Sequence, residues 1–122
     1  ASCEHGVCGA CTIRVDGEAV RGCLMLAAQL DGSDIWTVEG LSDTDVIRDL
    51  QDAFIARNSL QCGFCTPGML VSAEELLSKG GVPDRAVIRA HLSGNYCRCT
   101  GYEAIIDAVE SVALLRAGKA QS

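Results

Sequence analysis

The chain has 122 residues, a formal net charge of −6 and an aromatic content of only 4%. The acidic balance argues against nucleic acid or an anionic membrane as the main partner, and the scarcity of aromatics argues against a large aromatic-filled core. The longest apolar stretch, Cys23 to Leu30, is interrupted by Gln29 and falls well short of the ~18 residues of a membrane span. No signal-peptide pattern opens the chain, so a cytoplasmic location is expected. The first residue is Ala1 and not Met, which leads us to expect an upstream segment that was removed or belongs to another piece.

Eight cysteines stand at positions 3, 8, 11 and 23 and at 62, 65, 97 and 99, two quartets with 38 residues between them. Disulfides, zinc and iron–sulfur clusters all use such cysteines. Disulfide scaffolds spread them through loop-rich chains, whereas the gaps here hold helical patterns. In the first quartet, Cys3-x4-Cys8-x2-Cys11 followed by Cys23 is the plant-type spacing of a [2Fe–2S] cluster. A loop presents three thiolates from one side, and a separate segment brings the fourth. Gly6, Gly9 and Gly22 allow backbone N–H groups to approach the sulfurs. Structural zinc prefers two close pairs, which this pattern lacks.

Thr12-Ile13-Arg14-Val15 alternates, and Asp16-Gly17 reads as a two-residue hairpin turn before Glu18-Ala19-Val20. That hairpin carries Cys11 at one end and Cys23 at the other. Cys23 to Leu30 fits either a short helix or an apolar connector. Ile35 to Val38 is a further strand candidate, with Trp36 as a packing residue. Composition shifts near Gly40. Ser42-Asp43-Thr44-Asp45 resembles a helix start, and Val46, Ile47, Leu50, Ala53 and Phe54 continue at helical spacing to about Arg57. Asp43, Asp45, Asp49 and Asp52 read as a solvated face.

The stretch from Gln61 to Gly68 holds Cys62 and Cys65 at the start of a second helix. Thr66 is expected to cap it, and Pro67 suits its first turn. Thiolates at a helix N-terminus meet its positive end. Met69, Leu70, Ala73, Leu76 and Leu77 form one face before Gly80-Gly81 ends the helix. Pro83-Asp84 starts a third helix, which carries His91 as a surface or capping residue. Cys97 and Cys99 follow, and a fourth helix runs through Ile105, Ile106, Val109, Val112 and Leu115 toward a frayed tail from Gly118. Residues 42–117 therefore read as four helices with two cysteine-bearing loops. In an up-down bundle those loops share one end, so four thiolates can converge. Spacing alone leaves both zinc and iron–sulfur open for this second quartet.

Three words carry a resemblance: Cys3-Glu4-His5-Gly6-Val7-Cys8-Gly9-Ala10-Cys11-Thr12, Gln61 through Gly68, and Ser93 through Tyr102. Together they resemble the iron–sulfur subunit of the xanthine oxidase family of molybdenum hydroxylases. The resemblance implies an α+β chain: a ferredoxin-like β-grasp [2Fe–2S] domain over residues 1–41, then an all-α four-helix-bundle [2Fe–2S] domain over residues 42–122. It implies Cys3, Cys8, Cys11 and Cys23 as ligands of one cluster and Cys62, Cys65, Cys97 and Cys99 as ligands of the other. It places Gln61 and Cys99 against a molybdenum–pterin cofactor on a large partner subunit, with FAD on a medium subunit. Family members carry roughly forty residues ahead of the first cysteine, the size of a small strand pair; the β-grasp part is therefore expected to be N-terminally truncated here.

No nucleophile–base pair, phosphate loop or metal-hydrolase motif is present in the sequence. The implied role is a relay without catalytic residues of its own, carrying single electrons from the molybdenum–pterin site to FAD. Arg98, between two ligands, is expected to ease reduction of its cluster or to pair with a partner subunit. A free-standing two-cluster ferredoxin and a zinc-stapled interaction module are the competing readings.

Overall fold

The computed structural model of the chain describes residues 8–44, 46–57, 59, 63, 65–79, 82–95, 97 and 102–121. Strands β1 (Thr12–Val15) and β2 (Glu18–Arg21) form the expected hairpin. Val15 pairs with Glu18, which leaves Asp16 and Gly17 as the turn. Both have positive φ, 51° and 87°, as the mirror-image type I turn requires. Strand β3 (Ile35–Trp36) adds to the other edge of β1, giving the antiparallel order β2-β1-β3.

The stretch from Cys23 to Leu30 is partly helical. It contains two short 3-10 turns, Gly22–Leu24 and Ala27–Leu30. Trp36 does pack: its ring lies against Gly40, and the Arg14 guanidinium stands 5.4 Å from the ring centroid.

Among the described residues five α-helices follow. They are α1 (Val38–Asp43), α2 (Arg48–Ala56), α3 (Thr66–Ser78), α4 (Arg85–Leu92) and α5 (Glu103–Gln121). Val38 opens α1, so the strand expected to reach it stops at Trp36. The single helix expected across 42–57 is two helices, and Ser42-Asp43 ends the first of them. Thr44 explains the break. Its N–H bonds back to the Gly40 carbonyl, and its hydroxyl donates to the carbonyls of Gly40 and Leu41, so a hydroxyl competes with the helix for its own acceptors. Helix α4 starts at Pro83-Asp84 as expected, and Asp84 caps it, its carboxylate accepting the Val87 N–H at 2.9 Å. Helix α5 continues past Gly118, and its Leu115 is exposed.

Helix α3 was expected to bury one face, yet every residue from Gly68 to Glu74 is buried, as are Leu76 and Leu77. The cause is its position. It packs on β1 and β2 on one side and on α1, α2 and α4 on others, while α5 packs on α2 and α4. The buried polar groups of α3 are partnered, Ser72 by Asn95 and Glu74 by Arg116, as burial on every side requires. Leu41, Ile47, Leu50, Phe54, Met69, Ile88, Leu92, Ile105, Ile106 and Val109 complete one continuous core. Val46, placed on the apolar face by periodicity, is exposed instead. Asp49 departs from the solvated-face reading because it is ion-paired to Arg116 of α5, while Asp43 and Asp52 are exposed as expected. Among the described residues no helix is long and apolar enough to cross a membrane.

Candidate metal centres

The hairpin performs the task its sequence suggests. It returns the chain so that the Gly22 N–H bonds the Cys11 carbonyl at 3.1 Å and the Cys23 N–H reaches the Cys11 sulfur at 3.4 Å. Gly22 is required for this approach, since a Cβ there would sit 2.9 Å from the Cys11 carbonyl oxygen. Gly9, between Cys8 and Cys11, has φ +79°, a conformation that glycine adopts at no steric cost. Cys3 and Gly6 lie outside the described residues.

In the second quartet, Cys65 immediately precedes α3 and is already helical, at φ −80° and ψ −14°. Its carbonyl accepts the Met69 N–H at 3.1 Å. Pro67 occupies the first turn, as expected. Thr66 does not cap: it is the first helical residue, and its Oγ1 is buried with no hydrogen-bond partner among the described residues. Cys97 is held from the other side, its N–H donating to the Tyr102 hydroxyl at 2.9 Å. Tyr102 has φ +77°, uncommon for a non-glycine residue, and its carbonyl accepts the Ile106 N–H as α5 begins. Cys65, Cys97 and Tyr102 all pack against the hydrophobic core. Gln61, Cys62, Arg98 and Cys99 lie outside the described residues.

Among the described residues no three His, Cys, Asp or Glu side chains converge as a metal site. The structure joins Cys11 to Cys23 and seats Cys65 and Cys97 on one core; each quartet has further members outside the described residues. What is present suits an iron–sulfur cluster. The donors are thiolates, which select zinc or iron–sulfur clusters. N–H donation to sulfur, positive-φ glycines at 9 and 63 and an unpartnered buried hydroxyl beside Cys65 supply the hydrogen-bonding surroundings that tune such clusters.

His91 is no surface residue. Its Nε2 faces the Ser72 carbonyl at 2.9 Å and the Glu75 carboxylate at 3.1 Å, and Glu75 in turn accepts the Ala19 N–H. The histidine therefore ties α4 to α3 and, through Glu75, to β2.

The sequence reading missed Asn95. This buried side chain donates to the Gly9 carbonyl of the first cysteine loop and accepts from Ser72 of α3. Its sequence signal is its place two residues before Cys97, inside the Ser93 to Tyr102 stretch that carries the resemblance.

Comparison with known proteins agrees with this geometry. Residues 37–110 match the model of the [2Fe-2S] binding domain family, and residues 1–53 match a 2Fe-2S iron-sulfur cluster binding domain. The chain is 59% identical over 107 residues to the nicotine 6-hydroxylase small subunit of Paenarthrobacter nicotinovorans, covering 88% of this chain and 64% of that protein. It is 52% identical over 113 residues to caffeine dehydrogenase subunit gamma of Pseudomonas sp. (strain CBB1), covering 90% and 68% respectively. The crystal structure of quinoline 2-oxidoreductase from Pseudomonas putida 86 superposes with a TM-score of 0.89 at 50% identity, covering 98% of this chain and 74% of that one.

Fold and cysteine arrangement thus define a [2Fe–2S] protein of mixed helix and small sheet, with one cluster-binding region in each matched segment. The chain belongs to the small iron–sulfur subunits of the xanthine oxidase family of molybdenum hydroxylases. It spans 64% of the length of the nicotine 6-hydroxylase small subunit and 68% of caffeine dehydrogenase subunit gamma.

Proposed function

We propose that this chain is the electron relay of a molybdenum hydroxylase complex. The observation that carries the reading is the direct packing of the two cysteine loops: a Cβ on Gly68, just after Cys65, would collide with the carbonyl oxygen of Gly9, between Cys8 and Cys11. Independent structural staples need no such contact, whereas centres exchanging electrons must lie close together.

In this reading Cys3, Cys8, Cys11 and Cys23 hold one [2Fe–2S] cluster on a ferredoxin-like β-grasp domain, residues 1–41. Cys62, Cys65, Cys97 and Cys99 hold the other on a four-helix bundle, residues 42–122. When bound, each cluster supplies reversible one-electron redox chemistry. The chain's own residues place the sulfurs and aim the Cys23 N–H at the Cys11 sulfur. Gln61 and Cys99 face a molybdenum–pterin cofactor on a large partner subunit, where an aldehyde, N-heterocycle or similar small substrate is hydroxylated. The hairpin end faces FAD on a medium subunit.

The purified complex should contain about four iron and four acid-labile sulfide atoms per copy of this chain. Low-temperature EPR after dithionite reduction should show two distinct [2Fe–2S] signals, and the chain should copurify with molybdenum- and flavin-bearing subunits. Zinc in place of iron, or a single signal, would overturn the reading. Two signals in a chain that purifies alone would favour an exchangeable two-cluster ferredoxin.

A further inference from the structure

Asn95 is 2% exposed, and its side chain is fully engaged. Nδ2 donates to the Gly9 carbonyl at 3.0 Å and to Thr12 Oγ1 at 3.2 Å, and Oδ1 accepts from Ser72 Oγ at 2.8 Å. These partners belong to different parts of the molecule. Gly9 sits within the first cysteine loop, Thr12 starts β1, Ser72 lies on α3 behind Cys65, and Asn95 itself precedes Cys97.

The surroundings tighten the same junction. Arg21 of β2 donates to the Gly94 carbonyl at 2.6 Å and to Thr12 Oγ1 at 2.9 Å. A Cβ at Gly9 would stand 2.6 Å from both the Gly94 carbonyl oxygen and Asn95 Nδ2. Cβ atoms at Gly68 and Gly94 would overlap Gly9 and Arg21. Three glycines thus let two backbone loops meet without intervening side chains, and one amide stitches them.

None of these groups ligates a metal. A buried polar contact is costly unless every partner is satisfied, and a satisfied one admits a single geometry where an apolar contact would tolerate sliding. We propose that Asn95 is the positioning residue that locks the two cysteine loops in one placement and thereby sets the separation and orientation of their clusters. The proposal rests on the relay reading above. Magnetic dipolar coupling between two spins falls as the inverse cube of their distance, so it reports small loop displacements that bulk activity would not resolve.

The test uses the intact complex with three forms of this chain: wild type, Asn95→Asp and Gly68→Ala. Asn95→Asp keeps the shape and the acceptor for Ser72 but removes the donor to Gly9. Gly68→Ala keeps the Asn95 side chain and wedges the loops apart, its Cβ falling against the Gly9 carbonyl and, at 3.1 Å, against Asn95 Nδ2. The readouts are iron content, the g-values of each cluster and the spin–spin splitting in the fully reduced protein at low temperature. We expect both variants to keep wild-type iron content and g-values while the splitting changes. Wild-type splitting in Asn95→Asp would overturn the proposal, whatever the splitting in Gly68→Ala. So would loss of a cluster in both, since Asn95 would then serve only folding. A wild-type complex without two reduced-cluster signals would instead overturn the relay reading, before any variant is compared.

Discussion

Arg116 grips Asp49 through two parallel bonds, Nε to Oδ2 at 2.7 Å and Nη2 to Oδ1 at 2.8 Å. The same Nη2 reaches the Glu74 carboxylate at 2.8 Å, joining α5 to α2 and α3. Glu74 has a side chain only 7% exposed, so removing the arginine strands a buried charge. Arg116→Leu should lower the unfolding free energy by about 3 kcal/mol, and adding Glu74→Gln should recover part of it. Urea unfolding of the single and double variants measures both; equal stability of the two would show that Glu74 is not the source of the loss. The bond to Asp49, more than that to Glu74, holds the guanidinium pKa above its ordinary value despite opposing burial. A folded-state pKa raised above the unfolded one leaves the stabilisation fully present below the unfolded value and loses it only at higher pH. The contribution from arginine titration should therefore stay flat between about pH 6 and pH 9.

Strand β2 is an edge of the sheet, and edges leave N–H groups open. Glu75 takes the Ala19 N–H, with His91 bracing its other oxygen. Glu75→Ala should speed hydrogen exchange at the Ala19 amide about tenfold, the loss of one hydrogen bond to a charged acceptor. Unchanged exchange would mean that β2 is anchored by other contacts.

Gly9 and Gly17 both have left-handed backbones, but only Gly9 is crowded. Gly17→Ala should cost only the conformational strain, about 1 kcal/mol. Gly9→Ala should add the overlap with Gly94 and Asn95, for a total of about 3 kcal/mol. Thermal unfolding of the two variants side by side separates strain from docking, and equal losses would make the docking dispensable.

Thr66 Oγ1 is buried without a partner among the described residues, which costs about 1 kcal/mol or more in a protein interior. In the iron-free chain, Thr66→Val should leave stability unchanged or raise it by about 1 kcal/mol. In the iron-loaded chain the same change should speed iron loss to a chelator if the hydroxyl takes a cluster sulfur as its partner. The opposite signs are the signature; iron release at the wild-type rate would remove Thr66 from the cluster environment.

Local rules explain which features the sequence disclosed. The Asp16-Gly17 turn, the helix start at Pro83-Asp84 and the Pro67 first turn depend on neighbours in the chain, so their residues announce them. The split at Thr44 did not, because a hydroxyl competing for helix carbonyls looks like any threonine. Burial of α3 on all sides depends on what packs around it, which periodicity does not encode. For the metal centres, cysteine spacing exposed both quartets and the hairpin that joins Cys11 to Cys23. Asn95 stayed hidden because its partners lie at Gly9, Thr12 and Ser72, far along the chain, and asparagine in a loop usually signifies only a turn.

Among the described residues of the three strands only Thr12 is buried. These three strands therefore bring almost no oily interior of their own, and β1 and β2 lean on α3. The hairpin that carries Cys11 and Cys23 borrows its footing from the helix that Cys65 opens, so a cavity cut into α3 should loosen both cysteine loops together.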